Sequence, residues 1–231
     1  MAGAVTTGAI LLIGASRGLG LALAEAFLRL GWSVVATVRT TASPLHTLAA
    51  AYPSLEIETL DITDGEQIVA LADRLSDRRF DCLFVNAGVA DAAGSIADTP
   101  LDDFARLMTT NAWAPLQVLE ALGDRVAPNG VIGVMSSGQG SIANNRGGGV
   151  DAYRASKAAL NMLMRCYATR RADDPHALLL LAPGWIRTDL GGPNAPYTIE
   201  DSIPKLVEVI LAQRGRPGLR YLDRDGQSVP W

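Results

Sequence analysis

The sequence predicts a single α/β domain in which a parallel sheet is covered by helices on both faces. Short apolar runs recur along the 231-residue chain, each followed by a stretch of helical periodicity. The runs are apolar throughout rather than alternating, the pattern of strands buried on both faces, as a parallel sheet requires. No Ser/Gly/Pro-rich linker, low-complexity segment or internal repeat divides the chain, so residues 1–231 read as one domain.

In chain order the strand candidates are 9–13, 33–38, 55–60, 82–85, 131–135 and 177–182, with a weaker one at 219–222. After the first, "GLALAEAFLRLG" ends on Gly31, a residue that accepts the left-handed backbone of a helix C-terminus. After the third, "TDGEQIVALADRLSD" opens with Thr63 and Asp64, whose side-chain oxygens can cap free N–H groups. After the fourth, "TPLDDFARLMTTNAWAPLQVLEAL" is long and amphipathic. After the fifth, "DAYRASKAAL" sets Tyr153 and Lys157 one helical turn apart, on one face.

Composition narrows the class further. With 48% hydrophobic and 19% charged residues the chain can bury a substantial core. The net charge is −4 and the 20 basic residues are spread along the sequence rather than gathered in a stripe, which argues against a nucleic-acid partner. The opening "MAGAVTTGAILLIGAS" lacks a basic n-region and its apolar run stops at Gly14, so it reads as a first strand rather than a signal peptide. The apolar run ending at Pro183 is too short to cross a bilayer. A soluble, cytoplasmic protein with no membrane partner is the expectation. Cys82 and Cys166 lack metal-type spacing and are expected to be buried free thiols.

In an α/β sheet ligands bind beyond the carboxyl ends of the strands, so the residues following each run carry the chemistry. "GASRGLG" follows the first, with Gly14, Gly18 and Gly20 leading into a helix. Such glycines let the backbone approach a pyrophosphate, and the helix start offers unpaired N–H groups. An NAD-specific site presents an acid about 20 residues further on. Here no Asp or Glu occurs between Ala26 and Leu55; Arg39 ends the second run and Arg17 stands in the glycine turn. Two guanidinium groups without a carboxylate suit a 2′-phosphate, hence NADP(H). Asp61 in "LDITD" either accepts from an adenine amino group or caps the next helix, although Asp64 is the better-placed cap. "NAG", 86–88, is explained by a strand-end turn alone. Pro115 follows Asn111 by four residues and would disturb its carbonyl, giving either a polar side chain at a loosened turn that can hold a water or a plain kink with a solvated Asn. "MSSGQGSI" supplies Ser136 and Ser137, and "PGWIRTD" follows the sixth run.

Taken in order, "GASRGLG", "VNAG", Asn111, "SS", "YRASK" and "PGWIRTD" resemble the short-chain dehydrogenase/reductase family from residue 8 to the end. Within it, "YRASKAALN", the glycine-containing segment before Tyr153 and the ending "DGQSVPW" resemble sniffer-type carbonyl reductases and bacterial C-factor-like members. The resemblance implies a doubly wound Rossmann fold with a seven-stranded parallel sheet, and homodimers or homotetramers built through two long helices. It implies a catalytic set of Asn111, Ser137, Tyr153 and Lys157. Its cofactor contacts fall on Gly14, Ser16, Arg17, Gly18, Leu19, Gly20, Arg39, Asp61, Ile62, Asn86, Ala87, Gly88, Tyr153, Lys157, Pro183, Gly184, Ile186 and Thr188, the last meeting the nicotinamide carboxamide. The sequence departs from the family pattern twice. Ile13 stands where a Thr usually precedes the first glycine, removing one hydrogen bond that orders the turn. Ser137 lies 16 residues before Tyr153, a longer gap than in most members, which leaves Ser136 and Ser141 as alternative serines.

The expected chemistry is NADPH-dependent reduction of a ketone, aldehyde or quinone, with Tyr153 giving the proton, Ser137 holding the oxygen, Lys157 holding the nicotinamide ribose and Asn111 positioning a relay water. A free tyrosine titrates at about 10; the Lys157 ammonium and an oxidised nicotinamide both favour phenolate, and a shift of about 3 units corresponds to about 4 kcal/mol. Residues 189–202 form a short, flexible substrate lid, and Trp113, Trp185, Tyr197 and Trp231 are candidates to line the pocket. The competing readings are a cofactor-binding signalling or regulatory protein with little turnover, and an alcohol dehydrogenase working oxidatively.

Overall fold

In the computed structural model the described residues are 7–90 and 94–231; residues 1–6 of the expected domain lie outside them. The strands are β1 (Ala9–Ile13), β2 (Ser33–Val38), β3 (Leu55–Thr59), β4 (Phe80–Val85), β5 (Val126–Met135), β6 (Ala177–Ala182) and β7 (Gly218–Asp223). The helices are α1 (Gly18–Arg29), α2 (Leu45–Ala51), α3 (Gly65–Arg74), α4 (Leu101–Met108), α5 (Ala114–Leu122), α6 (Asp151–Arg170) and α7 (Ile199–Leu211). The seven strands form one sheet in the order β3-β2-β1-β4-β5-β6-β7, every neighbouring pair parallel.

The apolar runs behave as strands because both faces are covered. Ile10 and Leu12 of β1 point into a core that α1, α2 and α7 close, and Leu11 and Ile13 into a second core closed by α3, α5 and α6. The strand order reverses between β1 and β4, which opens a crevice at their carboxyl ends, where Gly14 and Asn86 emerge. No helix among the described residues is long and apolar enough to cross a membrane.

Several boundaries differ from the sequence reading. β4 and β5 begin earlier, at Phe80 and Val126, with a register shift between Phe80 and Cys82 that admits the polar stretch of β5. α2 has weak periodicity and no acidic first turn; Ser43 Oγ accepts from Leu45 N at 3.2 Å and starts it. The long helix is interrupted, since Thr109–Trp113 is a π-helical turn between α4 and α5. Cys82 is buried as expected, whereas Cys166 is exposed on α6, one turn beyond the exposed Met162 and Leu163 on the same side of the helix.

Candidate active site

The cofactor turn is held from three strands. Asn86 Nδ2 donates to the Gly14 carbonyl at 2.8 Å, and the N–H groups of Asn86 and Ala87 both donate to the Ile13 carbonyl. The bond forfeited by Ile13 is replaced from β2: Gly14 N donates to Thr37 Oγ1 at 2.9 Å, and Thr37 is buried. A Cβ on Gly20 would stand 2.1 Å from the Gly14 carbonyl oxygen, so no other residue lets the turn fold so tightly onto α1. Arg17 precedes α1 with extended backbone and no side-chain cap, and the first turn holds no acid, so the leading N–H groups remain available to an anion. This cradle fits a dinucleotide pyrophosphate. Ser16 and Leu19 are half-buried in the turn; Ser16 offers its carbonyl to Ser43 Oγ at 2.9 Å.

The two arginines differ. Arg39 is exposed at the end of β2, whereas Arg17 reaches across the crevice to Asp189, Nη1 to Oδ2 3.2 Å. Asp61 spends one carboxylate oxygen on Thr63, accepting from its N–H at 2.9 Å and its hydroxyl at 2.7 Å, while Asp64 is the helix cap, accepting from Glu66 and Gln67 N–H. Ile62 is buried in the core.

Asn111 lies within the π turn, where Ala114 N donates to the Thr109 carbonyl five residues back. Pro115 has no N–H to return to the Asn111 carbonyl, which is the local cause of the turn. The side chain is fully buried, so the solvated-kink alternative fails. Its amide donates to the Val89 carbonyl (2.8 Å) and Ser156 Oγ (3.0 Å), and its oxygen accepts from Val89 N (2.8 Å). These bonds commit the side chain to the strand-end turn after β4. A Cβ on the exposed Gly88 would lie 3.3 Å from Asn111 Oδ1 and 3.5 Å from Lys157 Nζ, so "NAG" adjoins both.

Tyr153, Lys157 and Ser137 meet at the end of β5. Ser136 and Ser141 are buried, bonded to Asn161 and to Asn144 N, whereas Ser137 Oγ accepts from Gln139 N at 3.2 Å and is the serine that hydrogen-bonds Tyr153. Lys157 is nearly fully buried; Nζ donates to the Met135 carbonyl at 2.9 Å, and burial depresses its pKa to about 8. Burial raises the Tyr153 pKa, opposed by a hydrogen bond with Ser137. Lys157 Nζ, held by the Met135 carbonyl, sits over the Tyr153 ring, 5.8 Å from its centroid.

Pro183 and Gly184 follow β6, Gly184 with φ +86°, and Ile186 is buried, bridging to Tyr197. Thr188 lies across the cleft from Gly18, whose added Cβ would be 3.8 Å from Thr188 Cγ2. Gly18, Thr188, Arg187, Asp189, Gly192 and Ile199 line a cleft of about 570 Å³. The lid is less free than its glycines and prolines suggest: Thr188 Oγ1 accepts from Gly191 N at 3.0 Å, and Trp185 Nε1 donates to the Gly191 carbonyl at 2.6 Å. Trp113, Trp185, Tyr197 and Trp231 are all partly exposed, but Trp231 packs on Tyr221 and Arg165. Thr37, Asn161, Tyr221 and Ser156 escaped the sequence reading, because isolated polar residues inside apolar runs or helices carry no spacing signal.

Fold and site together define an oxidoreductase built around a dinucleotide-binding crevice. The chain belongs to the short-chain dehydrogenase/reductase family: residues 14–208 match the family model described as "Enoyl-(Acyl carrier protein) reductase". It is similar to a short-chain dehydrogenase/reductase from Burkholderia multivorans solved with bound NADP, at 56% identity and TM-score 0.95 over 96% of this chain and 99% of that one. A carbonyl reductase from Pseudomonas aeruginosa PAO1 in complex with NADP is 38% identical, TM-score 0.90, over 98% and 100% of the two chains. C-signal of Myxococcus xanthus is 37% identical over 70% of this chain and 99% of its own length.

Proposed function

We propose that the protein is an NADPH-dependent carbonyl reductase acting on ketones, aldehydes or quinones. The observation that carries this reading is the convergence at the end of β5 of a half-buried Tyr153, Ser137 hydrogen-bonded to it, and a buried Lys157 one helical turn further along α6. A phenol placed beside a serine hydroxyl can give its proton to a carbonyl oxygen held there, the step that carbonyl reduction requires.

NADP(H) is supported by the two similar structures with bound NADP and by the exposed Arg39 with no acid nearby in sequence. The Gly14–Gly20 turn, with the free N–H groups of α1, would hold the pyrophosphate; Arg39 and Arg17 the 2′-phosphate; Asn86 to Gly88, Gly184 and Thr188 the nicotinamide half. Bound NADPH supplies the hydride equivalent for the carbonyl carbon. Tyr153 protonates the carbonyl oxygen while Ser137 Oγ donates a hydrogen bond to it. Lys157, fixed by the Met135 carbonyl, holds the cofactor ribose and stands ready to return a proton toward Tyr153. With its side chain committed to Val89 and Ser156, Asn111 acts by holding that turn, and any relay water would sit on its backbone carbonyl. Two long helices would build the homodimer or homotetramer, covering the exposed Met162 and Leu163 of α6.

The deciding experiment follows NADPH oxidation with a panel of quinones, diketones and aldehydes in the parent protein and in Tyr153→Phe. The variant should bind NADPH normally and lose about 10²- to 10⁴-fold in turnover, the usual worth of a positioned acid. Full turnover by Tyr153→Phe would overturn the mechanism. Tight NADPH binding with no turnover on any carbonyl would favour the binding-protein reading instead.

A further inference from the structure

Three consecutive residues at the end of β5 are each tied to a different side chain. The Met135 carbonyl accepts from Lys157 Nζ at 2.9 Å, Ser136 Oγ donates to Asn161 Oδ1 at 2.6 Å, and the Ser137 carbonyl accepts from the hydroxyl of Tyr221. Lys157 and Asn161 stand four apart on the same face of α6 as Tyr153, so that one face is fastened along the strand end. Tyr221 comes from β7, two strands away, and is 3% exposed. Its hydroxyl donates to the Ser137 carbonyl and also meets the Ser136 and Asn161 side chains, so the buried phenol is anchored on the strand end rather than left without a partner, which would be costly. Gly140 N donates to the same carbonyl at 2.9 Å, so the Ser137 peptide is gripped from two sides. Beyond it the chain is held again: Ala143 N donates to the Trp231 carbonyl at 3.0 Å, and the Trp231 ring lies 5.6 Å from that of Tyr221.

We propose that Tyr221 is a positioning residue of the reaction, holding the Ser137 backbone so that the Ser137 side chain meets Tyr153 and the substrate oxygen. This rests on the roles of Ser137 and Tyr153 proposed above. The extra residues between Ser137 and Tyr153 explain the need: beyond the short turn at 138–140, which itself bonds Ser137, residues 142–149 are exposed, so the link to Tyr153 along the chain is loose and a tie from the sheet fixes the serine.

The test is Tyr221→Phe, alone and in a Ser137→Ala background, assayed with the best carbonyl substrate of the panel. Alone, it should lower kcat about tenfold, equivalent to about 1.4 kcal/mol, with the KM for NADPH unchanged. In the Ser137→Ala background it should cost almost nothing more, because the group it positions is gone. The crystal structure of Tyr221→Phe should show the Ser137 carbonyl displaced. Parent kcat in Tyr221→Phe, equal losses in both backgrounds, or an unmoved carbonyl would each overturn the proposal while leaving the carbonyl-reductase reading intact. Full activity of Tyr153→Phe or Ser137→Ala would overturn that underlying reading and this proposal with it.

Discussion

Arg17 of the glycine turn and Asp189 at the mouth of the lid form an ion pair of 3.2 Å across the cofactor crevice. Both side chains are more than two-thirds exposed, so the pair contributes no more than about 1 kcal/mol to stability. Its consequence is competition: the guanidinium proposed to hold the 2′-phosphate is already engaged. Asp189→Ala should therefore tighten NADPH binding about two- to fivefold at low salt, with the gain fading at high salt. Calorimetric titration at two ionic strengths checks this; weaker binding in the variant would mean that Asp189 orders the lid instead.

Arg39 meets no such rival in sequence, standing exposed at the end of β2 in a stretch without acids. Arg39→Asp should weaken NADPH by about 10- to 100-fold, the worth of one or two charge-assisted hydrogen bonds, and bring NADH to parity or better. The ratio of kcat/KM for the two cofactors is the readout. An unchanged ratio would place 2′-phosphate recognition on other groups.

The Asn111 side chain ties the turn after β4 to α6 through Val89 and Ser156. Asn111→Ala would strip both the N–H and the C=O of Val89 of their buried partner, at about 1–3 kcal/mol each. For a chain of this size the combined loss of about 2–6 kcal/mol is a fall in Tm of about 4–24 °C. Thermal unfolding without cofactor checks it, and an unchanged Tm would show that the turn after β4 is held without Asn111.

The fold was legible because strands buried on both faces write continuous apolar runs, and six of the seven stand out plainly in the sequence. The boundaries of β4 and β5 were not, since a register shift lets polar residues join a strand. Of the site, Tyr153 and Lys157 were visible through helical spacing, and Asn111 through Pro115. What spacing could not reveal was commitment: that Ser136 is spent on Asn161, that Arg17 turns to Asp189, and that Lys157 is held by the Met135 carbonyl. Thr37 and Tyr221 lay hidden because one hydroxyl in an apolar strand looks like any other strand residue until its neighbour across the sheet is known.

Lys157 separates function from stability. Burial holds its pKa at about 8, well below the ordinary lysine value of 10.5. Below pH 8 the amine is charged in both folded and unfolded chains, and the folded state bears the full cost of keeping an ammonium out of water. Between pH 8 and 10.5 the folded protein has released the proton while the unfolded chain still binds it. Stability therefore rises with pH across that window, by on the order of 3 kcal/mol. Lys157→Met removes the charge and with it this dependence, while leaving the Met135 carbonyl without its donor. Relative to the parent, the variant should be most stable below pH 8 and lose that advantage steadily toward pH 10.5, although it reduces no carbonyl. Denaturant unfolding of both proteins at pH 7, 8.5 and 10 measures the difference directly. A gap between the two that stays constant with pH would mean that Lys157 does not titrate as a buried amine, and its place in the proton path would have to be abandoned.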